Sequence, residues 1–170
     1  KQAKNEGVET MVTISVDEES FDFVSNAAMH FKDVYGTVGL HPHDASEFNP
    51  SLERRLRELG REQDKLIAIG ETGLDYHYMN SSRENQQFAF RKQLQIAVEL
   101  NLPVVLHSRE AEVDTINILK EIPVPSLGVA HSFTSSLKMA KTLLDMGWFF
   151  GINGIVTFKN AEDLREVVRW

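Results

Sequence analysis

The 170-residue sequence contains no cysteine. Disulfides and thiolate metal sites are therefore excluded. No apolar run reaches the length needed to span a bilayer, and no signal pattern opens the chain, so a cytoplasmic protein without a membrane partner is expected. Positive charge is in short supply: 18 Lys and Arg against 25 Asp and Glu leave −7. That balance argues against a general polyanion-binding surface, although a metal or a few Lys and Arg still suffice to hold an anionic substrate locally. There is no G-x-G-x-x-G after the first strand and no P-loop. Low-complexity segments and linkers are also missing, so residues 1–170 are read as one domain. What the chain does have is apolar material for a core, at 42% hydrophobic residues.

That material is arranged in short blocks. "TMVTISV", Thr10 to Val16, is β-branched and reads as a strand. Asp17 is a plausible N-cap for the helix that follows, with Phe21, Val24, Ala28 and Phe31 at helical spacing. Tyr35 to Leu40 is the next strand. Asn49 caps a helix with Pro50 at its first position and Leu52, Leu56 and Leu59 on one face. Lys65 to Gly70 is a strand, and Ser81 with Glu84 resembles a capping box for a long helix carrying Phe90, Leu94, Ala97 and Val98. "PVVLH" is a strand ahead of a helix with Val113, Ile116 and Leu119 or Lys120 at its turns. "LGVAHS" is a strand, "SLKMAKTLLDM" a helix stopped by Gly147, "WFFGIN" a strand, and Asn160 caps a last helix. The opening "KQAKNEGV" reads as the last turn of a helix and the closing "AEDLREVVRW" as a helix with nothing after it, the pattern of a fragment.

Strands that are continuously apolar and alternate with helices predict a parallel sheet covered by helices. Either a doubly wound sheet or most of a (β/α)8 barrel satisfies this pattern. The polar residues fall where such folds place their sites. His41 and His43 follow the second strand in "HPH", Glu71 ends the third, and His107 and His131 end the next two. With His77 in "GLDYH", five of the six histidines lie just after a strand, and only His30 lies within a helix. Any one of these alone is better read as an ordinary hydrogen-bonded residue. One carboxylate and two imidazoles on three successive strands, Glu71, His107 and His131, are hard to explain by packing and favour a metal site. Imidazole with carboxylate suits Zn²⁺, Mn²⁺ and related divalent ions, and leaves positions open for water and substrate. Arg109 is placed either to fork onto a phosphate or carboxylate or to pair with Glu110 or Glu112. Ser108 and Ser132 are candidate donors to ligand histidines. Neither has the partners of a serine nucleophile.

"GLHPHDA" (39–45), "IGETGLDYH" (69–77), "LNLPVVLHSREA" (100–111), "AHSFTSS" (130–136) and "GINGIVTFKNA" (151–161) occur in order and at spacings that resemble the TatD-related metal-dependent hydrolases. The resemblance covers nearly the whole chain. It implies an α/β fold, a (β/α)8 TIM barrel of the amidohydrolase type, here incomplete at about six of eight units. It also implies one or two divalent ions (Mg²⁺, Mn²⁺ or Zn²⁺), and hydrolysis of DNA or RNA from the 3′ end by metal-activated water. Carried over by motif, Glu71 resembles the catalytic, metal-bridging carboxylate, and His107 and His131 the remaining ligands of one metal. His41, His43 and Arg109 fall on the substrate side, whereas Asp75 and Tyr76 match a segment read as shaping a loop. The family's opening His-x-His or His-x-Asp strand and its closing strand with an Asp are not in this sequence, so impaired catalysis by this segment is expected. A same-fold hydrolase of an ester, lactone or amide is the alternative. No obligate protein partner is implied.

Overall fold

A computed structural model describes residues 2–170. Among them, Gln2–Asn5 form one helical turn (α1), and Lys1, the first residue of the stretch read as a helix remnant, lies outside the described residues. The strands are β1 (Met11–Ile14), β2 (Val34–Val38), β3 (Leu66–Asp75), β4 (Val104–Arg109), β5 (Gly128–Ala130) and β6 (Phe149–Phe150). Between and after them lie α2 (Ser20–His30), α3 (Pro50–Glu62), α4 (Arg83–Leu100), α5 (Glu112–Glu121), α6 (Leu137–Asp145) and α7 (Glu162–Arg169). Short 3-10 helices cover Pro42–Glu47 and Gly154–Thr157.

All strand pairs are parallel, and the strand order is β1-β2-β3-β4-β5-β6. A doubly wound sheet needs a point where the order reverses. This order never does, so the sheet is the curled half of a (β/α) barrel. Its strands' C-terminal ends share one rim. The core lies between sheet and helices, where Phe21, Leu56, Ile69, Phe90, Leu94, Val104, Leu106 and Ile118 are each 0–1% exposed. The concave side holds an apolar hollow of about 610 Å³ lined by residues such as Val12, Ile14, Ala68, Val105 and Phe149. The hollow reaches as far as His131, but His41, Glu71 and His107 do not line it.

Local rules place several of these elements. Asn49 caps α3, its side chain accepting from the N–H groups of Ser51 and Leu52. Ser136 caps α6 through the Met139 N–H. Other expectations are corrected. Ser82, not Ser81, caps α4 by accepting from Asn85 N–H. Ser81 is turned inward, donating to the His43 carbonyl and accepting from Ser46 N–H, which ties the 3-10 helix to α4. Asn160 does not cap α7, because Ala161 occupies that position. Asp17 accepts from Ser20 N–H at 2.8 Å, yet Glu19 is the N-cap residue of α2. Phe31 lies beyond the end of α2 and is 63% exposed. Val113 faces solvent at 73% exposure, because α5 turns Thr115, Ile118 and Leu119 inward.

The largest correction is β3. It does not end at Glu71 but runs on to Asp75, with Gly73 paired to His107 and Asp75 to Arg109. Its register against β4 shifts between Ile69 and Thr72, a bulge that brings the Glu71 N–H to the Ser15 carbonyl at 3.0 Å. Glycine is required on both sides of Glu71. Gly70 and Gly73 have φ of 139° and 146°, and a Cβ on Gly73 would lie 1.9 Å from the His107 carbonyl oxygen.

Phe90→Ala is expected to cost about 3–5 kcal/mol in urea unfolding, the loss typical of a buried aromatic, whereas Val113→Ala is expected to stay within about 0.5 kcal/mol. Equal effects of the two would show that the core is wrongly placed.

Candidate metal centre

Three segments converge on the rim. The chain leaves β2, and Gln93 of α4 clamps it there: Gln93 Oε1 accepts from Leu40 N–H at 2.7 Å and its Nε2 donates to the Leu40 carbonyl at 3.0 Å. His41 N–H then donates to the Val16 carbonyl at 2.7 Å. This fixes His41 before Pro42 starts the 3-10 helix that carries His43. The bulge in β3 presents Glu71, and β4, expected to end at His107, carries it as an internal residue and runs on to Arg109.

Ligand atoms of His41, Glu71 and His107 all lie within 4.8 Å of one another. His107 Nδ1 is 3.1 Å from Glu71 Oε1, and its Nε2 is 3.0 Å from Asp75 Oδ2. A neutral imidazole has one N–H. If Nε2 donates to Asp75, the Nδ1 lone pair points at the Glu71 carboxylate. Two acceptors face to face need a proton or a cation between them. Donor atoms at this spacing can share one ion at bond lengths of about 2.0–2.2 Å, and a carboxylate behind a ligand histidine is the usual support for such a bond. The residues therefore fit a divalent cation.

Asp75 is the functional residue that sequence reasoning undervalued. It does shape the loop, its Oδ1 accepting from the N–H groups of His77 and Tyr78 at 3.0 and 2.9 Å. Its Oδ2 also holds two rim histidines, His107 and His43, the latter at 3.2 Å. The residue is fully buried. Gln86 pins its backbone, accepting from Asp75 N–H and donating to its carbonyl. In the sequence its signal was its place in the motif "IGETGLDYH", read as shaping a loop.

His131, expected beside Glu71 and His107, follows β5 and is not part of the three-residue group. It lines a cavity of about 330 Å³ with His107, Ser108, Arg109 and Thr134, and its charge acts to lower the Glu71 pKa. His41, expected on the substrate side, supplies the third atom of that group. Its ring stacks edgewise with those of His43 and His107, at centroid distances of 4.3 and 4.4 Å. His41 Nδ1 accepts from His43 N–H at 3.2 Å, so the neutral ring carries its proton on Nε2. Ser108 bonds Thr115 rather than a histidine. The two carboxylates proposed to neutralise Arg109 are engaged elsewhere: Glu110 pairs with His77 at 2.7 Å, and Glu112 accepts from the Ser136 N–H and hydroxyl. Arg109 instead lies over the Tyr78 ring, 4.7 Å from its centroid.

Burial pushes the His41 pKa down to about 4, with the positive field of His107 adding to the effect and Glu71 opposing it. Burial alone would raise Glu71, but the His107 hydrogen bond and the charges of His107, His41 and His131 outweigh it and hold the carboxyl below its ordinary range. Asp75 is likewise lowered: burial opposes ionisation, and the Tyr78 N–H and the two histidines overcome it.

These shifts give a pH prediction for the chain held in chelator. Unfolded His41 takes up its proton near pH 6.5, folded His41 only near pH 4, so the unfolded state binds more protons in between and stability falls on acidification. The lowered Glu71 and Asp75 add a further loss as the pH drops through the carboxylate range. His41→Gln is expected to remove about 1–3 kcal/mol of the stability lost between those two pH values, read by urea unfolding at several pH values. An unchanged slope would contradict a neutral, buried His41.

Comparison with known proteins places this geometry in a family. The model of the family described as TatD related DNase matches residues 1–170. A Bacillus subtilis protein named as an uncharacterized metal-dependent hydrolase is 35% identical over 170 residues, 99% of this chain and 66% of its own length. The 3′-5′ ssDNA/RNA exonuclease TatD of Erwinia tasmaniensis is 39% identical over 171 residues, covering 99% of this chain and 66% of that protein. The crystal structure of a TatD homologue from Escherichia coli superposes with a TM-score of 0.93 at 30% identity, over 98% of this chain and 65% of that one. The chain thus spans slightly under two thirds of the length of these relatives. It belongs to the TatD-related DNase family.

Proposed function

We propose that this chain carries the metal-holding rim of a hydrolase that cleaves phosphodiester bonds at the 3′ ends of DNA or RNA. The observation behind this reading is the His107 ring held between Asp75 and Glu71, next to an arginine with no carboxylate partner among the described residues. The E. tasmaniensis relative, named as a 3′-5′ exonuclease on single strands, supports the choice of substrate.

Glu71 and His107 would hold one divalent ion, Mg²⁺, Mn²⁺ or Zn²⁺, with His131 the further imidazole that the family motif implies. When bound, the ion lowers the pKa of water and polarises a phosphoryl oxygen. With the ion bound, Asp75 would accept from His107 Nε2–H and leave Nδ1 to the ion, which would take the place of the proton between Nδ1 and Glu71. His41 Nδ1 accepts from His43 N–H, which leaves its Nε2–H to donate to a phosphate oxygen. His43 stands beside it, held by Asp75. Arg109 offers two parallel N–H groups to the phosphate without first breaking an ion pair. Its guanidinium stands in for the basic surface that the net charge of −7 denies the chain as a whole.

That same negative charge favours one rival, a hydrolase of an uncharged ester, lactone or amide on the same metal chemistry. Substrate trials separate the two. With Mn²⁺ present, cleavage of 5′-labelled single-stranded DNA is expected to be slow, to proceed stepwise from the 3′ end, and to vanish with chelator and in His107→Ala. Turnover of carboxylic esters or amides with intact DNA would favour the rival.

Metal affinity assigns the histidines independently of turnover. By Mn²⁺ titration calorimetry, His107→Ala and His131→Ala are expected to weaken binding about 10–100-fold or more, and Asp75→Asn by about 10–100-fold. His41→Ala is expected to stay within about threefold. The reverse order for His41 and His131 would make His41 the third ligand.

A further inference from the structure

The segment after Asp75 carries two tyrosines of opposite character. Tyr76 is used by the fold: it packs against the core and its hydroxyl donates to Asp114 at 2.7 Å. Tyr78 is not in the core and is 55% exposed. An exposed aromatic ring in a loop normally has rotational freedom, but this one is held from several sides. Its N–H is fixed by Asp75. The rings of His43 and His77 meet it at right angles, with centroids 5.4 and 4.7 Å away. The Arg109 guanidinium lies 4.7 Å from its centroid. His77 is itself anchored by Glu110. The cost of ordering the ring is therefore already met before anything binds.

The position of this ring matters as much as its rigidity. His43, which touches Tyr78, shares Asp75 Oδ2 with His107. The exposed ring thus stands one side chain away from the metal centre, on top of the arginine assigned to the phosphate. A planar π surface paired with a guanidinium suits a flat, polarizable ligand.

We propose that Tyr78, backed by Arg109, is a stacking platform for a nucleobase next to the scissile phosphate. The inference rests on the nucleic-acid reading above and names a subsite for it. Arg109 neutralises the backbone while Tyr78 takes the base, so the site binds a nucleotide unit rather than a bare phosphodiester. Stacking makes no use of base edges, so the subsite accepts any of the bases. A paired base is buried in its own stack, so the subsite also favours single strands.

Fluorescence anisotropy with no divalent metal present tests this without turnover. A labelled thymidine tetranucleotide is compared with an abasic tetramer of equal length and charge. The wild-type chain is expected to bind the thymidine oligomer about tenfold more tightly, the gain typical of one stacked base. Tyr78→Leu, which keeps apolar bulk without a π face, is expected to bring both oligomers to the same affinity, and Tyr78→Phe to preserve the difference. Equal binding of the two oligomers by the wild-type chain, or a preference that survives in Tyr78→Leu, would overturn the platform while leaving the nucleic-acid reading intact. Binding of neither oligomer would also overturn the platform, while the nucleic-acid reading is decided by the Mn²⁺ cleavage trial.

Discussion

The carboxylate of Asp75 is where fold and site are joined. One of its oxygens closes the loop that orients Tyr78, and the other holds the rings of His43 and His107. Gln86 of α4 fixes the aspartate from behind. A buried carboxylate persists only when its lone pairs are used, and four donors use them here. The same atom thus ties histidines from two different segments to one point.

The bulge in β3 is the second constraint. A regular strand would send Glu71 along the same path as its neighbours. The register shift brings it within 3.1 Å of His107, and the two flanking glycines make the close approach of β3 and β4 possible. The result is an arrangement whose acceptors require a cation or a proton between them. That electrostatic demand, and not any single residue, is why the cluster reads as a metal centre.

Much of the fold was legible because its signals are local. Asn49-Pro50 set the start of α3 through one side-chain oxygen, and apolar runs separated by helical spacing marked every strand. The failures are equally physical. Ser81 and Ser82 are chemically identical, and only tertiary packing turned one inward to His43 and left the other to cap α4. Val113 fits helical spacing, but α5 rotates to place Thr115 against Ser108. The end of β3 was misplaced because a bulge continues a strand through residues that otherwise signal a turn.

By itself the sequence determined the alternation of strand and helix, the absence of thiolate chemistry, and the gathering of histidines near strand ends, since each depends on residue type and spacing alone. It also carried the motifs that resemble the TatD-related hydrolases. Tertiary structure decided which histidines meet. It grouped His41 with Glu71 and His107 and set His131 on the adjoining cavity. It freed Arg109 by giving Glu110 to His77 and Glu112 to Ser136. It also made Asp75 the shared anchor. Those outcomes depend on which strand ends lie side by side and on how far β3 bulges, and residues more than thirty positions apart in sequence carry no local signal of either.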